Sequence, residues 1–413
     1  MIKVLHFADT HIDIASYGKR DPESGLPFRV LDFLTALDTI IDTAIAEKVD
    51  LVLFAGDAYK DRTPVPTYQR EWGKRIMRLS EAGIPTLLLV GNHDLSPTQG
   101  RAHALQEFRT LQVPHIRVID RPVFIPAGEF ENLPIQIMAM PWVSRSIFTA
   151  SEQAGEQKTG KSAHSMDEMI ITLIDGWLER LDEQTPSLFM AHASVQGALY
   201  GEERAVMLGG DFVLPAGQFK DGRLDYVALG HIHKAQNLNE NAHPPIIYPG
   251  SIERVNFGEI KDDKFFVIAS IEKGHTDLEW RKLNGRIFLD CEITLNPDEE
   301  VAAQILQSLP KGNSVKDAII RVRIHYPKHL ETLIDESTIR EQLTEAFAVH
   351  LIRRPELEVR ARLAMDTGME SLTPLELVNL YWDTKQLKGD RDLLNQLAVT
   401  LMTAEQHQDK ELF

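Results

Sequence analysis

The chain has 413 residues, of which 43% are hydrophobic and 25% are charged, and its formal net charge is −17. This composition is ordinary for a folded globular protein, and the length predicts two or three domains, or one large domain with appendages. The acidity excludes a protein that wraps nucleic acid with its whole surface, although a local basic cleft or bound metal ions stay compatible with it.

Targeting and redox features are few. No run of about 18 apolar residues occurs, so no transmembrane helix is expected. The first residues, Met1–Ala8, lack the charged, apolar and cleavage regions of a signal peptide. Cys291 is the only cysteine, so structural disulfides are not expected. Together these features predict a cytoplasmic protein without a membrane partner.

Buried strands and amphipathic helices alternate over residues 1–285. An apolar face from Val30 to Ala44 predicts a first helix, and a second is predicted over 66–82, ending at Gly83. Apolar runs predict buried strands at 2–8, 51–55, 85–90, 135–140, 187–191, 224–229, 246–248 and 264–271. This order predicts an α/β fold of the layered, sandwich type.

The pattern changes after about residue 285, where a small α+β domain is predicted. It comprises a strand at 286–294, a helix at 297–309, a strand at 317–325, a helix at 335–347 and an extended, Arg-rich segment at 350–363.

The end of the chain predicts two amphipathic helices. Thr373 suits the N-cap of the first, with Pro374 as its first helical residue and Glu376 completing a capping box. The last helix is predicted over 389–405. Either helix could pack on the body or bind a partner. The expected domains are therefore 1–285, 286–365 and 370–413, with a linker at Met365–Met369.

Five short motifs carry the chemistry of the chain. In order they are Asp9-Thr-His11, Gly56-Asp57, Gly91-Asn92-His93-Asp94, Ala191-His192 and Gly230-His231-Ile-His233. The leading residue of each follows a predicted strand. Because ligands bind beyond the carboxyl ends of strands in open α/β sheets, the five motifs are expected to meet at one edge.

The residue types in these motifs suit two divalent cations. Carboxylate and amide oxygens with imidazole nitrogens can hold such ions, and two ions that share a carboxylate are common in phosphate ester hydrolysis. Asp57 is placed to bridge both ions, whereas Asn92 adds a neutral carbonyl oxygen. His93 need not bind metal and could contact a phosphate oxygen or protonate the leaving alkoxide.

Each motif also has a plain structural interpretation. Asp-x-His is often a surface pair, Gly-Asp after a strand is usually a turn, and His192 alone could be a hydrogen-bonded core histidine. His231 and His233 could simply share one face of a strand. The complete ordered set favours a two-metal phosphoesterase, because chance rarely places every member at a strand end.

Gly155–Ser162 matches the letters of a phosphate-binding P-loop, GxxxxGKS. A working P-loop needs a buried strand before it and a helix after it. A helix is predicted at 166–181, but the preceding segment from Ser144 is polar. The match therefore predicts a solvated loop rather than a nucleotide site.

The ordered motifs resemble those of the calcineurin-like metallophosphoesterases. Further likeness comes from Ala191–Ala198, Asp225–Lys234 and Tyr248–Gly258, which are similar to segments of the SbcD family, the nuclease subunit of SbcC–SbcD complexes that process DNA double-strand breaks. The resemblance covers 1–285 well and the remainder in general layout.

The resemblance implies a role for each motif residue. It implies one metal held by Asp9, His11, Asp57 and His233, a second held by Asp57, Asn92, His192 and His231, and a catalytic, non-ligand role for His93. It also implies manganese as the metal, DNA as substrate, and a small domain that caps the nuclease and contacts DNA. The terminal helices would bind an SbcC-like coiled-coil ATPase, and helices at about 66–82 and 101–111 would form a homodimer within a heterotetramer.

Two positions depart from related families. Archaeal and eukaryotic relatives have a histidine three residues after the second-motif aspartate, where this chain has Lys60, which puts the balance of exonuclease and endonuclease activity in doubt. Ser/Thr phosphatases place Asp-Arg-Gly in this region. Asp61-Arg62-Thr63 is shifted and lacks the glycine, which argues against that branch.

Basic residues form two groups along the sequence. One comprises Lys60, Arg62, Arg70, Lys74, Arg75 and Arg78, and the other comprises Arg353, Arg354, Arg360 and Arg362. The first group could be a solvated helix face, whereas the second lies on the expected capping domain, where it could contact phosphates. DNA binding through these residues predicts a steep loss of affinity with salt.

The sequence thus favours a metal-dependent DNA nuclease subunit. One alternative is a small-molecule phosphodiesterase or phosphatase on the same fold. The other is a P-loop or scaffold protein with an inactive phosphoesterase fold, which the full set of ligand positions disfavours.

Overall fold

The computed structural model describes residues 1–17, 19–95, 102–143, 166–201, 213–356, 375, 376, 378, 379, 382 and 393–399. The chain divides into two compact units. The larger unit comprises Met1–Asp290, Lys311–Ile320 and Glu345–Val349, and the smaller unit comprises Cys291–Pro310, Arg321–Thr344 and the chain from His350.

Two six-stranded sheets form the frame of the larger unit. The first contains β1 (Ile2–Phe7), β2 (Leu51–Phe54), β3 (Thr86–Leu89), β4 (Ile116–Ile119), β13 (Lys264–Glu272) and β14 (His275–Leu283), in the order β14-β13-β1-β2-β3-β4. The second contains β5 (Val123–Ile125), β6 (Gln136–Met140), β7 (Ser187–His192), β10 (Tyr226–Gly230), β11 (Gln236–Asn237) and β12 (Ile246–Tyr248), in the order β11-β12-β10-β7-β6-β5.

The central strands of both sheets are parallel. In the first sheet β1, β2, β3 and β4 run together, and in the second β6, β7, β10 and β12 do so. Every residue of β2, β3, β6, β7, β10 and β12 is buried. This matches their mostly apolar sequences, as expected for strands covered on both faces.

Helices of the larger unit cover the outer faces of the two sheets. They are α1 (Phe28–Ala46), α2 (Pro66–Glu81), α3 (Gln106–Thr110), α4 (Met166–Leu178) and α5 (Ala216–Phe219). Val4 and Met190 belong to the core between the sheets. Phe33 and Trp72 pack on the first sheet, and Phe219 packs on the second. The predicted α/β sandwich is therefore confirmed as a four-layered α/β/β/α arrangement.

The smaller unit is built around a three-stranded sheet. Its strands β15 (Phe288–Thr294), β16 (Ile319–Pro327) and β17 (Ala348–Glu356) are in that order, and its helices are α6 (Val301–Ser308) and α7 (Glu336–Gln342). The larger unit also contains a separate pair of short strands, β8 (Ser194–Val195) and β9 (Val213–Leu214). Segment 311–320, including the start of β16, belongs to the larger unit.

Two helix boundaries differ from the sequence prediction. The helix expected over 335–347 ends at Gln342, because the backbone N–H groups of Phe347 and Ala348 donate to the Ala318 carbonyl and the chain has already turned into a strand. The helix expected over 297–309 begins at Val301, where the Glu300 side chain caps it. Strands β4, β5 and β14 were not predicted: β4 and β5 are short, whereas β14 alternates exposed and half-buried residues regularly from His275 to Trp280.

Several predicted features lie outside the described residues. These are the P-loop-like segment 155–162, the linker 365–369, Arg360, Arg362, Thr373 and Pro374. In the two predicted terminal helices, residues 375, 376, 378, 379, 382 and 393–399 are helical. Among the described helices, none has the length and apolar character needed to cross a membrane.

Candidate metal centre

The strand ends bring all five motifs to one edge of the larger unit. Asp9, Asp57 and Asn92 follow β1, β2 and β3 after one or two intervening residues. His192 is the last residue of β7 rather than the residue after it, and His231 directly follows β10. Because these strands are parallel, their carboxyl ends lie side by side, and residues far apart in sequence meet.

Four of the motif residues have left-handed backbone conformations. The φ angles are 51° at Asp9, 38° at His11, 63° at Asp57 and 98° at His231. Residues with side chains rarely adopt such values, and they persist where surrounding structure imposes them, often at functional sites. The turns at the strand ends thus aim these side chains inward at a cost in backbone energy.

Two glycines permit the close approach of the strand ends. Gly56 has a φ of +100°, and a Cβ atom there would clash with the His192 imidazole. A Cβ atom at Gly91 would clash with the Asp57 carboxylate and backbone. Both motifs therefore require glycine for space, and Gly56 requires it for conformation as well.

The first cluster consists of Asp9, His11 and His233. All three side chains are buried, and one potential ligand atom from each lies within 4.8 Å of the others. The Nε2 atoms of His11 and His233 are 3.0 Å apart. The His231 backbone N–H lies 3.0 and 3.1 Å from the two carboxylate oxygens of Asp9 and holds that carboxylate in place.

The imidazoles of the first cluster are oriented by hydrogen bonds at Nδ1, the ring nitrogen that does not face the other imidazole. His11 Nδ1 lies 3.2 Å from the Tyr59 carbonyl oxygen, and His233 Nδ1 lies 2.8 Å from a Glu259 carboxylate oxygen. Both partners can only accept a hydrogen bond, so each Nδ1 carries the proton. In the neutral rings both Nε2 lone pairs then face one another, an arrangement that a cation between them stabilises. The donor set therefore fits a divalent metal ion.

The second cluster consists of Asp57, His192 and His231, which are also buried with potential ligand atoms within 4.8 Å. Asn92 joins it, since its Oδ1 lies 2.9 Å from His192 Nε2 and 3.1 Å from His231 Nδ1. His192 Nδ1 donates to the Ala55 carbonyl at 2.7 Å, which directs Nε2 into the cluster. These oxygen and nitrogen donors fit a second divalent ion.

The electrostatics of the two clusters are those of a site built around positive charge. Burial alone would raise the pKa of the Asp57 carboxyl, but the neighbouring His192 and His93 outweigh it and hold that pKa well below its usual range. Burial alone would lower the pKa of His192, yet the Asp57 carboxylate raises it to about 9. Burial raises the pKa of Asp9 to about 6. A cation bound among these carboxylates would supply the same compensation as a protonated His192.

His93 lies beside both clusters and is half-buried. Its backbone N–H donates to Asp57 at 2.9 Å, and its Nδ1 donates to the Lys60 carbonyl at 2.7 Å. The ring packs edge-on against His11, with centroids 5.4 Å apart. Nδ1 is thus occupied by the backbone, and Nε2 is the nitrogen left for a reacting group.

The buried carboxylate of Asp94 was not assigned a role from the sequence. It accepts from the backbone N–H groups of Asp57 and Ala58, each at 2.9 Å, and from Gly91 at 2.8 Å. Burial and the Asp57 charge raise the pKa of Asp94 to about 7. Asp94 therefore connects the second motif to the third by hydrogen bonds. Its position in the Gly-Asn-His-Asp motif is the sequence feature that could have indicated this role.

A buried ion pair behind His233 was also missed. Glu259 and Lys264 are 2% and 1% exposed, and their charged atoms are 2.6 Å apart. Lys264 also donates to Ser251 at 2.7 Å, and Val255 N donates to Glu259 at 3.0 Å. Burial alone would raise the pKa of Glu259, but Lys264 and His233 lower it well below its usual range. Lys264 is the first residue of the apolar strand β13, and nothing in the local sequence indicates that it pairs with Glu259.

Trp142 is a further residue at the centre that sequence reasoning did not single out. It follows β6, its backbone N–H donates to the Val90 carbonyl at 2.9 Å, and its ring centroid is 4.9 Å from that of His231. An aromatic ring beside an imidazole limits the positions that the imidazole can adopt. The apolar sequence around Trp142 resembles ordinary core and gave no indication of this position.

Comparison with known proteins adds to this geometry. The model of the calcineurin-like phosphoesterase family matches residues 2–235. The chain is 24% identical to "uncharacterized metallophosphoesterase YhaO" of Bacillus subtilis, over 83% of this chain and 73% of that protein. It is 26% identical to a subunit of the nuclease SbcCD of Escherichia coli, over 66% of each chain. It is also 26% identical to "DNA double-strand break repair protein Mre11" of Saccharolobus solfataricus, over 92% of this chain and 81% of that protein.

Proposed function

The chain belongs to the calcineurin-like phosphoesterase family, and on that basis we propose that it is a two-metal DNA nuclease. The observation that carries the proposal is the pair of buried clusters, with an aspartate in each and His93 beside both. The names of the Escherichia coli and Saccharolobus solfataricus relatives support DNA as the substrate.

The proposed ligands follow the two clusters. Asp9, His11, His233 and Asp57 would hold one ion, and Asp57 would also belong to the second set of ligands. Asn92, His192 and His231 complete that second set. When bound, the two ions supply Lewis-acid stabilisation of the phosphate charge and lower the pKa of water, and manganese suits this mixture of oxygen and nitrogen donors.

His93 is the proposed catalytic residue that does not bind metal. Its Nδ1 is held by the Lys60 carbonyl, so its Nε2 can contact a phosphate oxygen or deliver a proton to the leaving alkoxide. The backbone N–H of His93 also fixes one oxygen of Asp57. A single turn therefore positions both a metal ligand and the residue acting on the leaving group.

The proposal extends to partners. We propose that the chain works with an SbcC-like coiled-coil ATPase bound through 370–413, as a homodimer within a heterotetramer. Residues 286–365 are proposed to cap the nuclease and contact DNA. The name of the Escherichia coli relative, a subunit of the SbcCD nuclease, supports assembly with another subunit.

The direct test measures cleavage of linear duplex DNA with manganese, beside assays on bis(p-nitrophenyl) phosphate, p-nitrophenyl phosphate and a cyclic nucleotide. We expect DNA cleavage that chelation abolishes. Hydrolysis of the small esters without DNA cleavage would instead identify a small-molecule phosphodiesterase or phosphatase.

A second test isolates His93. His93→Ala is expected to lower the rate of cleavage by about 10²–10⁴-fold while manganese binding is retained, because general acid–base catalysis contributes on that order. His275→Ala, at an exposed histidine of β14, is the control and is expected to cleave normally. Unchanged cleavage by His93→Ala would remove His93 from the mechanism.

A further inference from the structure

A cavity of about 650 Å³ opens beside His93 in the larger unit. The loop between Asp57 and α2 forms most of its wall, with Lys60, Arg62 and Tyr68 among the lining residues. Its volume lies within the range of about 300–1,000 Å³ that is usual for ligand sites. The cavity is therefore large enough for a nucleotide and is placed next to the proposed catalytic histidine.

The structure separates the basic residues of this region into two kinds. On α2, Arg70 and Lys74 pair with Glu71 at 2.8 and 3.1 Å, and Arg75 pairs with Asp38 at 2.7 Å. Arg78 also pairs with Asp38, at 3.1 Å. Each of these helical cations already has a carboxylate partner, which partly offsets its charge before any ligand binds.

Lys60 and Arg62 differ from the helical cations. Both are exposed, and among the described residues no carboxylate lies within ion-pair distance of either side chain. The two acidic groups of the lining are engaged by the loop itself. Asp13 accepts from the backbone N–H of Asp61 at 2.7 Å, and Asp61 accepts from that of Thr63 at 2.9 Å. Of the four charged lining residues, the two carboxylates thus have hydrogen-bond donors from the loop, while Lys60 and Arg62 have no carboxylate at ion-pair distance among the described residues.

Lys60 also links the cavity to the reaction centre. Its carbonyl oxygen accepts from His93 Nδ1 at 2.7 Å, and Lys60 is also one of the residues that line the cavity. A group entering the cavity therefore lies on the His93 side of the two clusters. Pro64, Val65 and Tyr68 add an apolar surface suited to a sugar or base.

We infer that this cavity binds the nucleotide that follows the cleaved bond on the leaving-group side of a single strand, with Lys60 and Arg62 on its next phosphate. The inference rests on the proposed function, since His93 defines that side. Two cations beyond the reacting phosphate recognise a polymer of phosphodiesters. A substrate with only one phosphate cannot make this contact. The site therefore accounts for selection of a nucleic acid strand over a small phosphate ester.

The test measures binding rather than cleavage. Fluorescence anisotropy of a labelled short oligothymidylate is followed against salt for the full chain in EDTA. For single strands the slope of log affinity against log salt is about −0.7 for each neutralised phosphate. Lys60→Ala and Arg62→Ala are each expected to weaken binding and to make the slope shallower by up to about 0.7. Lys60→Arg, which keeps the charge, is expected to preserve the slope.

Lys74→Ala is the matched control, because it removes one exposed lysine that already pairs with Glu71. It is expected to bind with the wild-type slope. Slopes of Lys60→Ala and Arg62→Ala equal to that of the wild type would overturn the inference. Binding of pyrophosphate as tight as that of the oligothymidylate would also overturn it, in favour of a small-phosphate site.

These outcomes are separable from the fate of the proposed function. If the protein binds the strand through Lys60 and Arg62 but never cleaves DNA, the inference about the cavity stands and the proposed nuclease function is wrong. If the protein cleaves DNA while both alanine variants bind with the wild-type slope, the proposed nuclease function stands and the inference about the cavity is wrong.

Discussion

The imidazole of His233 is held by a buried carboxylate, whereas those of His11 and His192 are held by backbone carbonyls. A carboxylate partner makes an imidazole a stronger ligand and fixes its tautomer. Lys264 offsets the charge of Glu259, so the Glu259–Lys264 pair orients His233 without adding net charge to the centre. We regard Glu259 as a positioning residue.

We predict that Glu259→Gln weakens manganese binding by about 10–100-fold, measured by isothermal titration calorimetry, as for other partners of metal-bound histidines. The substitution also leaves Lys264 buried without its partner, which can cost several kcal/mol of stability. The double variant Glu259→Gln/Lys264→Met removes both charges and is expected to recover stability but not metal affinity.

Glu253→Gln provides the control, because Glu253 is equally buried and accepts from the backbone N–H groups of Arg254 and Arg286 rather than from a proposed ligand. It is expected to lose stability with unchanged metal affinity. Wild-type metal affinity in both Glu259 variants would assign the ion pair to folding alone.

His6 gives a prediction on acid stability. It lies between the sheets with its Nδ1 3.0 Å from the Tyr226 hydroxyl, and burial lowers its pKa to about 3. The unfolded chain, with a histidine pKa of about 6.5, binds a proton in this range that the folded chain does not. Folding stability is therefore lost as the pH falls from about 6.5 towards 3, by up to about 1.4 kcal/mol per pH unit from this residue.

In His6→Gln this contribution is removed, since glutamine does not titrate and can still hydrogen-bond the Tyr226 hydroxyl. The free energy of unfolding, measured with urea at a series of pH values, is expected to fall less steeply with acid than in the wild type. If the free energy of unfolding of wild type and variant falls equally with acid, His6 is not a source of the acid sensitivity.

The geometry of the two clusters depends on the turns at the ends of the strands. Gly56 lies between β2 and Asp57, with a left-handed φ and the His192 ring against its Cα. We predict that Gly56→Ala lowers the free energy of unfolding by more than about 2 kcal/mol, since backbone strain and overpacking add. Urea denaturation measures this, and manganese calorimetry is expected to show weakened binding.

Gly128→Ala is a matched control for strain alone. Gly128 also has a left-handed φ, of +82°, but no atom lies within 4 Å of the position that its Cβ would occupy. A loss on the order of 1 kcal/mol with unchanged metal affinity is expected there. Equal effects of the two substitutions would show that the close approach to His192 carries no energetic weight.

The elements themselves were largely predictable. Strands such as β2 and β7 are mostly apolar runs because both faces are buried, and α1 shows its apolar stripe plainly. The end of the helix at 335–347 was not predictable, since a tertiary hydrogen bond to the Ala318 carbonyl overrides local helical preference. By contrast, β14, which pairs with β13, could have been predicted, since Thr276, Leu278 and Trp280 alternate with polar residues as in a half-buried strand.

In the whole molecule, the first cluster joins strands from both sheets, since Asp9 and His11 follow β1 and His233 follows β10. An ion bound there would connect the two sheets of the larger unit. We predict that manganese raises the thermal unfolding midpoint in proportion to log concentration, with about 2.7 kcal/mol of stabilisation at a hundred times the dissociation constant. Asp9→Asn is expected to flatten this dependence. A midpoint unaffected by manganese would contradict the two-cluster interpretation.

The sequence by itself determined the layered α/β fold and the residues that meet at its edge. Local apolar runs predict the buried strands, and the motif residues follow those runs directly in the sequence. Only the tertiary structure decided which of those residues share a cluster, and that Glu259 and Lys264 stand behind His233. It also decided that Lys60 and Arg62 are available cations while the helical arginines are paired. The pairing of charges and the orientation of imidazoles depend on residues distant in sequence, and local sequence patterns do not indicate such contacts.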